Sequence, residues 1–174
     1  MPDVLLATDA DWVADEVEAA LGGDHEVRRV RRGVDVTGEV AAAAPALVVL
    51  DLQIGNMGGM ATCMSLRLDA GVGRLPSVPV LMLLDRSDDV FLARRSEADG
   101  WLVKPLDAFS LRRAATSLLE GGRWPKDSTP APVEPEAAAS SSDGESESDL
   151  PAELPELVAL GDRKRRRRRK VAEA

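Results

Sequence analysis

The chain is short of most of the side chains that build reactive sites. Of its 174 residues, one is cysteine, one is histidine, none is tyrosine, and only three tryptophans and two phenylalanines supply aromatic rings. A single cysteine, Cys63, excludes an internal disulfide and suits a reducing compartment. On the apolar side of a helical stretch, it reads as inert core. The lone histidine, His25, follows Gly22-Gly23-Asp24 and is expected at the surface, with no histidine or cysteine cluster to suggest a metal. Long apolar runs are missing too. The longest, residues 41–50, contains Pro45 and falls well short of the roughly 20 residues a membrane span needs. Met1 leads into a strand-like run with no charged segment before it, so no secretory signal is expected and the protein is read as cytoplasmic. Lysine is the last scarcity: residues 1–124 hold 13 basic residues, of which only Lys104 is not arginine.

Composition divides the chain in three. Residues 1–124 alternate apolar runs with amphipathic stretches and carry 19 acids against 13 bases. Residues 125–162 read as an acidic linker. From Asp127 to Asp162 there are ten acids and no base, with Pro130, Pro132, Pro135, Pro151 and Pro155 and serines at 140–142. Too few large apolar side chains are present there to offset ordering entropy, so the expectation is disorder. Residues 163–174 form a basic tail that opens with eight consecutive Lys and Arg residues. The net charge of -8 conceals this polarity.

Within the first segment, hydrophobic periodicity predicts strands at 3–7, 25–30, 47–51, 78–84 and 100–103, and helices at 10–21, 34–44, 60–68, 88–96 and 108–120. Trp12, Val13, Val17 and Leu21 are read as the apolar side of the first helix. The runs at 47–51 and 80–84 are apolar without interruption, which implies burial on both faces. Five strands alternating with five helices predict an α/β fold: one parallel, doubly wound sheet covered on both faces. Function in such sheets gathers where the strands end. Three charges stand at those ends: Asp9 after the first strand, Asp51 closing the third before a glycine-rich loop, and Lys104 after the fifth. One lysine in an arginine-choosing chain suggests a place that needs a compact, mobile ammonium and not a planar fork.

Leu47-Val48-Val49-Leu50-Asp51-Leu52 with Gly55 to Gly59, and Trp101-Leu102-Val103-Lys104-Pro105, in this order and setting, resemble the receiver domain of bacterial two-component response regulators. The resemblance covers residues 3 to about 121. It implies a flavodoxin-like five-stranded receiver fold, with Asp51 as the phosphoacceptor that takes a phosphoryl group from a sensor histidine kinase or phosphotransfer protein as an acyl phosphate. It further implies a magnesium ion, weakly held if at all, on Asp9, Asp51 and the backbone carbonyl of Gln53. Lys104 would bind the phosphoryl oxygens and would precede Pro105 through a cis bond. Leu84 and Trp101 fall at the two switch positions, and output would pass by protein contact to a downstream partner.

Departures from the family pattern bear on the switch. Thr8 stands where a second acid is usual, which lowers the expected metal affinity. Leu84 stands where a serine or threonine hydroxyl normally meets the phosphoryl group. Asp85 follows in place of a small residue, and a carboxylate there repels an incoming anion or competes for the metal, at ~1 to 4 kcal/mol for like charges about 4 Å apart. Gly55 replaces a common proline and only loosens the loop. The resemblance is therefore to a degenerate, stand-alone receiver. Two readings of Lys104 stay open, phosphate partner or structural ion pair with Asp51, and Asp85 reads either as an inhibitory charge or as a solvated loop residue. A hydrolase is not expected, because Gln53 occupies the place two residues after Asp51 where a general acid would stand. A binding-protein alternative also stands: a phosphorylation-independent scaffold whose basic tail contacts nucleic acid or an acidic surface. Such binding would be steeply salt-dependent and lost on deletion of 163–170. The tail's own acidic neighbour competes for that charge, since a 38-residue linker spans only about 35 Å.

Overall fold

The computed structural model describes residues 1–125; nearly all of the expected acidic linker, and the whole basic tail, lie outside the described residues. The strands are β1 (Asp3–Ala7), β2 (Glu26–Val30), β3 (Leu47–Asp51), β4 (Val80–Leu84) and β5 (Gly100–Val103). All pair in parallel, in the spatial order β2-β1-β3-β4-β5. That order is the flavodoxin-like arrangement, with the direction of winding reversed between β1 and β3. The helices are α1 (Asp11–Leu21), α2 (Val36–Ala42), α3 (Gly59–Gly71), α4 (Val90–Arg95) and α5 (Ala108–Leu119).

Alternation along each strand sends successive side chains to opposite faces. Leu5, Val48, Leu50, Val80, Met82 and Leu84 pack with Val36 and Val40 of α2, Cys63 and Leu66 of α3 and Ala93 of α4. Val4, Leu6, Leu47, Val49, Leu81 and Leu83 pack instead with Val13 and Val17 of α1 and Leu111, Ala115 and Leu118 of α5. Every residue of β3 and of β4 is buried, as uninterrupted apolar runs require of strands covered on both sides. Beyond α5, Trp124 donates its amide to the Asp99 carbonyl and accepts from Trp101, bridging to Gly100 beside β5.

The predicted elements occupy their expected places, with ends moved by one to three residues. The stretch expected as helix from 34 begins with a 3-10 turn, Gly33–Asp35, and the one expected from 88 begins with another, Ser87–Asp89. Helix α3 runs past residue 68 to Gly71 and is capped by Val72, with Gly73 in the left-handed region at φ 73. His25 is half-buried, not exposed, because its chain turns in from α1 to start β2.

Candidate functional site

The reversal of winding leaves a crevice beyond the ends of β1 and β3, and the residues that follow those strands line it. Thr8 and Asp9 leave β1, and Asp51 closes β3 in register with Leu83. The loop after Asp51 returns tightly: Gly59 donates its amide to the Leu52 carbonyl. A Cβ at Gly59 would come within 2.5 Å of the Asp51 carbonyl oxygen, so only glycine lets α3 begin this close to the strand end.

Asp51 is 2 % exposed, and its carboxyl oxygens are satisfied from three directions. Its Oδ2 accepts the Thr8 hydroxyl at 2.8 Å. Its Oδ1 accepts the Lys104 ammonium at 2.7 Å and the Gln53 amide at 3.1 Å. The amine and carboxylate, 53 residues apart in sequence, therefore meet directly at the rim.

Lys104 leaves β5 immediately after Val103, which is in register with Leu84, and its amide bonds the Leu84 carbonyl at 2.8 Å. The Lys104–Pro105 peptide is cis. Its side chain is only 7 % exposed because it is enclosed. Besides Asp51, Nζ donates to Asp85 Oδ1 at 3.2 Å, and it lies 5.5 Å from the centre of the Trp12 ring. An ammonium has three donors. Two carboxylates and one aromatic face make up its surroundings here, the last a cation–π contact.

The other residues singled out from sequence stand further off. Asp9 is exposed, and its Oδ2 accepts the Gly55 amide at 3.2 Å, with no bond to Asp51. Gln53 is exposed as well and contributes its amide. Leu84 is wholly buried in the face covered by α2, α3 and α4 and brings no polar atom of its side chain. Trp101 packs in that same face, with the Arg94 guanidinium 5.4 Å from its ring centre. Cys63 is buried, and loss of solvent pushes its thiol above the ordinary range, as an inert core thiol should be.

A magnesium ion prefers several hard oxygen ligands and retained waters. Among the described residues no three acidic, imidazole or thiol side chains group closely enough to hold a cation. Both Asp51 oxygens already accept donors, Asp9 is turned to Gly55, and Thr8 offers a neutral hydroxyl. A cation at Asp51 would share a carboxylate that already accepts three donors, beside a neutral hydroxyl in place of a second acid, so the donor set as folded is a poor fit for one.

Two residues of the rim differ from their sequence reading. Trp12 was expected on the apolar side of α1, yet it is 51 % exposed. Val13, Val17 and Leu21 take that side at i, i+4 and i+8, leaving Trp12 at the helix start to lean over Lys104. Thr8 was read only as a missing acid, but its hydroxyl is a direct partner of Asp51 and also accepts the Ala10 amide.

The response regulator receiver domain family model matches residues 4–116. The DNA-binding dual master transcriptional regulator RpaA of Synechocystis sp. (strain ATCC 27184 / PCC 6803 / Kazusa) is 30% identical over 122 residues, covering 68% of this chain and 49% of that protein. The DNA-binding response regulator MtrA of Mycobacterium tuberculosis (strain ATCC 25618 / H37Rv) is 31% identical over 105 residues, 59% of this chain and 43% of its own. The chain thus spans about half the length of these curated relatives. Among solved structures, chemotaxis response regulator CheY4 of Vibrio cholerae superposes with a TM-score of 0.60 at 22% identity, covering 67% of this chain and 97% of that one. The signal receiver domain of a signal transduction histidine kinase from Syntrophus aciditrophicus gives 0.61 at 24% identity, covering 75% and 99%. At these identities the two structures speak for the fold.

Proposed function

Because this chain belongs to the response regulator receiver domain family of two-component signalling, we propose that it is a receiver that signals by protein contact while its Asp51 site stays in a closed, ion-paired form and does not accept a phosphoryl group. The observation that carries this reading is the state of Asp51. Its Oδ2 is taken by the neutral Thr8 hydroxyl and its Oδ1 by Lys104, in a pocket with 2 % exposure. An in-line attack on a phosphoryl donor needs a free carboxylate oxygen facing the donor, plus positive charge to hold the transferred group. Here the positive charge is committed to two internal carboxylates.

Leu84 supports the same reading. It stands where the family places a hydroxyl, and a buried leucine has no donor to turn toward a phosphoryl oxygen. Without that bond, nothing pulls on β4 when the site changes. Receiver domains interact with histidine kinases or phosphotransfer proteins, and contact with such a partner survives loss of the chemistry because the surface of the fold is intact. Output through contact then depends on which partner is present and not on an acyl phosphate.

Incubation of the full chain with phosphoramidate or acetyl phosphate and magnesium, followed by intact mass measurement, tests this. The expected result is no phosphoryl adduct on the parent. The triple variant Thr8→Asp, Leu84→Thr, Asp85→Ala should acquire one. An adduct on the parent that disappears in Asp51→Asn would overturn the proposal.

A further inference from the structure

We infer that Asp85 is an internal stand-in for a phosphoryl anion: its carboxylate holds the second donor of the Lys104 ammonium and thereby closes the rim to phosphate. This rests on the reading above that the site keeps its resting ion pair. The contact follows from the sheet. Leu84 and Val103 are registered partners on adjacent parallel strands, and the Lys104 amide bonds the Leu84 carbonyl. Asp85 and Lys104 are the next residue of each strand, so the ladder itself delivers a carboxylate and an ammonium side by side. Their 3.2 Å bond is the result.

Each approach to Lys104 is occupied. Asp51 lies on the inner side at 2.7 Å, Asp85 on the β4 side, and the ring of Trp12, at the start of α1, at 5.5 Å. Of the two carboxylates, only one is readily moved. Asp51 is buried and fixed by Thr8 and Gln53 as well. Asp85, with a side chain 37 % exposed on a loop, has Lys104 as its one hydrogen-bond partner among the described residues. The device is therefore a reversible autoinhibitory contact. An incoming oxyanion must evict a tethered carboxylate of the same charge, and a tethered competitor acts at high effective concentration. Removing that charge while keeping its shape should expose a phosphate site on Lys104.

The test uses the uniformly 15N-labelled full chain, titrated with inorganic phosphate at constant ionic strength and followed by the Trp12 indole signal, assigned with Trp12→Phe. Asp85→Asn should bind phosphate at least roughly tenfold more tightly than the parent, about 1.4 kcal/mol, and Asp85→Ala should do the same. Adding Lys104→Gln to Asp85→Asn should abolish the response, with the Trp101 and Trp124 indole signals reporting that the fold persists. Parent and Asp85→Asn titrating alike would sink the inference, as would a response that survives Lys104→Gln. The two proposals fail separately: an adduct on the parent removes the functional reading, whereas identical phosphate titrations remove only the role of Asp85.

Discussion

Both rims of the sheet are held by ion pairs, mostly through arginine, but beside Asp51 the cation is a lysine. At the rim where strands begin, arginine forks act as staples. Arg67 of α3 donates to the Glu97 carbonyl, the Val78 carbonyl and Asp99, while Asp99 also accepts the Val80 amide. Arg28 of β2 joins Asp3, Glu39 and the Ala43 carbonyl. Each planar fork is spent on partners in several elements at once, an arrangement that tolerates no change of pose. At the rim where strands end, Lys104 presents a compact ammonium to two carboxylates and a ring. The difference teaches that a multi-element staple wants fixed geometry, whereas the site beside Asp51 keeps a cation that can exchange partners. The sequence's preference for arginine elsewhere thus has a physical meaning at this one position.

The comparison is broken most severely by removing a cation. Lys104→Ala leaves Asp51, 2 % exposed, with only Thr8 and Gln53 to support it. Loss of one partner of a buried pair costs about 3 to 5 kcal/mol, and urea denaturation at neutral pH should show a loss of unfolding free energy in that range. Arg67→Ala should cost less, about 2 to 3 kcal/mol, because Arg67 and Asp99 keep 18% and 27% exposure and water can reach what is left. Equal losses at the two positions would mean the rims do not differ in burial energetics.

Exchanging the cations sharpens the same contrast. Arg67→Lys gives up a planar fork and at least one of its carbonyl bonds, for about 1 to 2 kcal/mol. Lys104→Arg asks a wider head to fit between Asp51, Asp85 and Trp12 and should cost about 1 to 3 kcal/mol through overpacking. Both losses are read from the same denaturation curves. A neutral outcome for Lys104→Arg would show that the strand-end rim needs only positive charge.

Much of this was legible in the sequence, and the limits have physical causes. The fully apolar runs of β3 and β4 announce strands covered on both faces, and the parallel order follows because each is separated by a helix. Asp51 and Lys104 could be found because their positions at strand ends are unusual for charges. Trp12 was misassigned because it adjoins Val13. Four residues on from Trp12 comes Glu16, so its own row along the helix is not apolar, and that signal was available. The bonds from Thr8 to Asp51 and from Asp85 to Lys104 join residues 43 and 19 apart. They depend on how loops leave neighbouring strands, which no local pattern of residue types encodes.

The smallest effect belongs to another acid of the strand-end rim, one placed in water instead of in the core. Asp107 caps α5, accepting the Ser110 amide at 2.7 Å just after the Lys104–Pro105 turn. Bonds from the Ser110 backbone and side chain hold its carboxyl below the usual range, with the Phe109 amide adding to them. A carboxyl whose folded pKa lies below its unfolded value, roughly 3.9, stabilises the fold above that pH and loses the contribution as pH falls through the folded value. Asp107→Ala should therefore lower the thermal midpoint slightly at pH 7, with the gap to the parent narrowing steadily below about pH 4. A gap that stays constant down to the acid limit would assign the effect to helix geometry and not to the charge. In that case the exposed acid of this rim, unlike Asp51, would act through its shape alone.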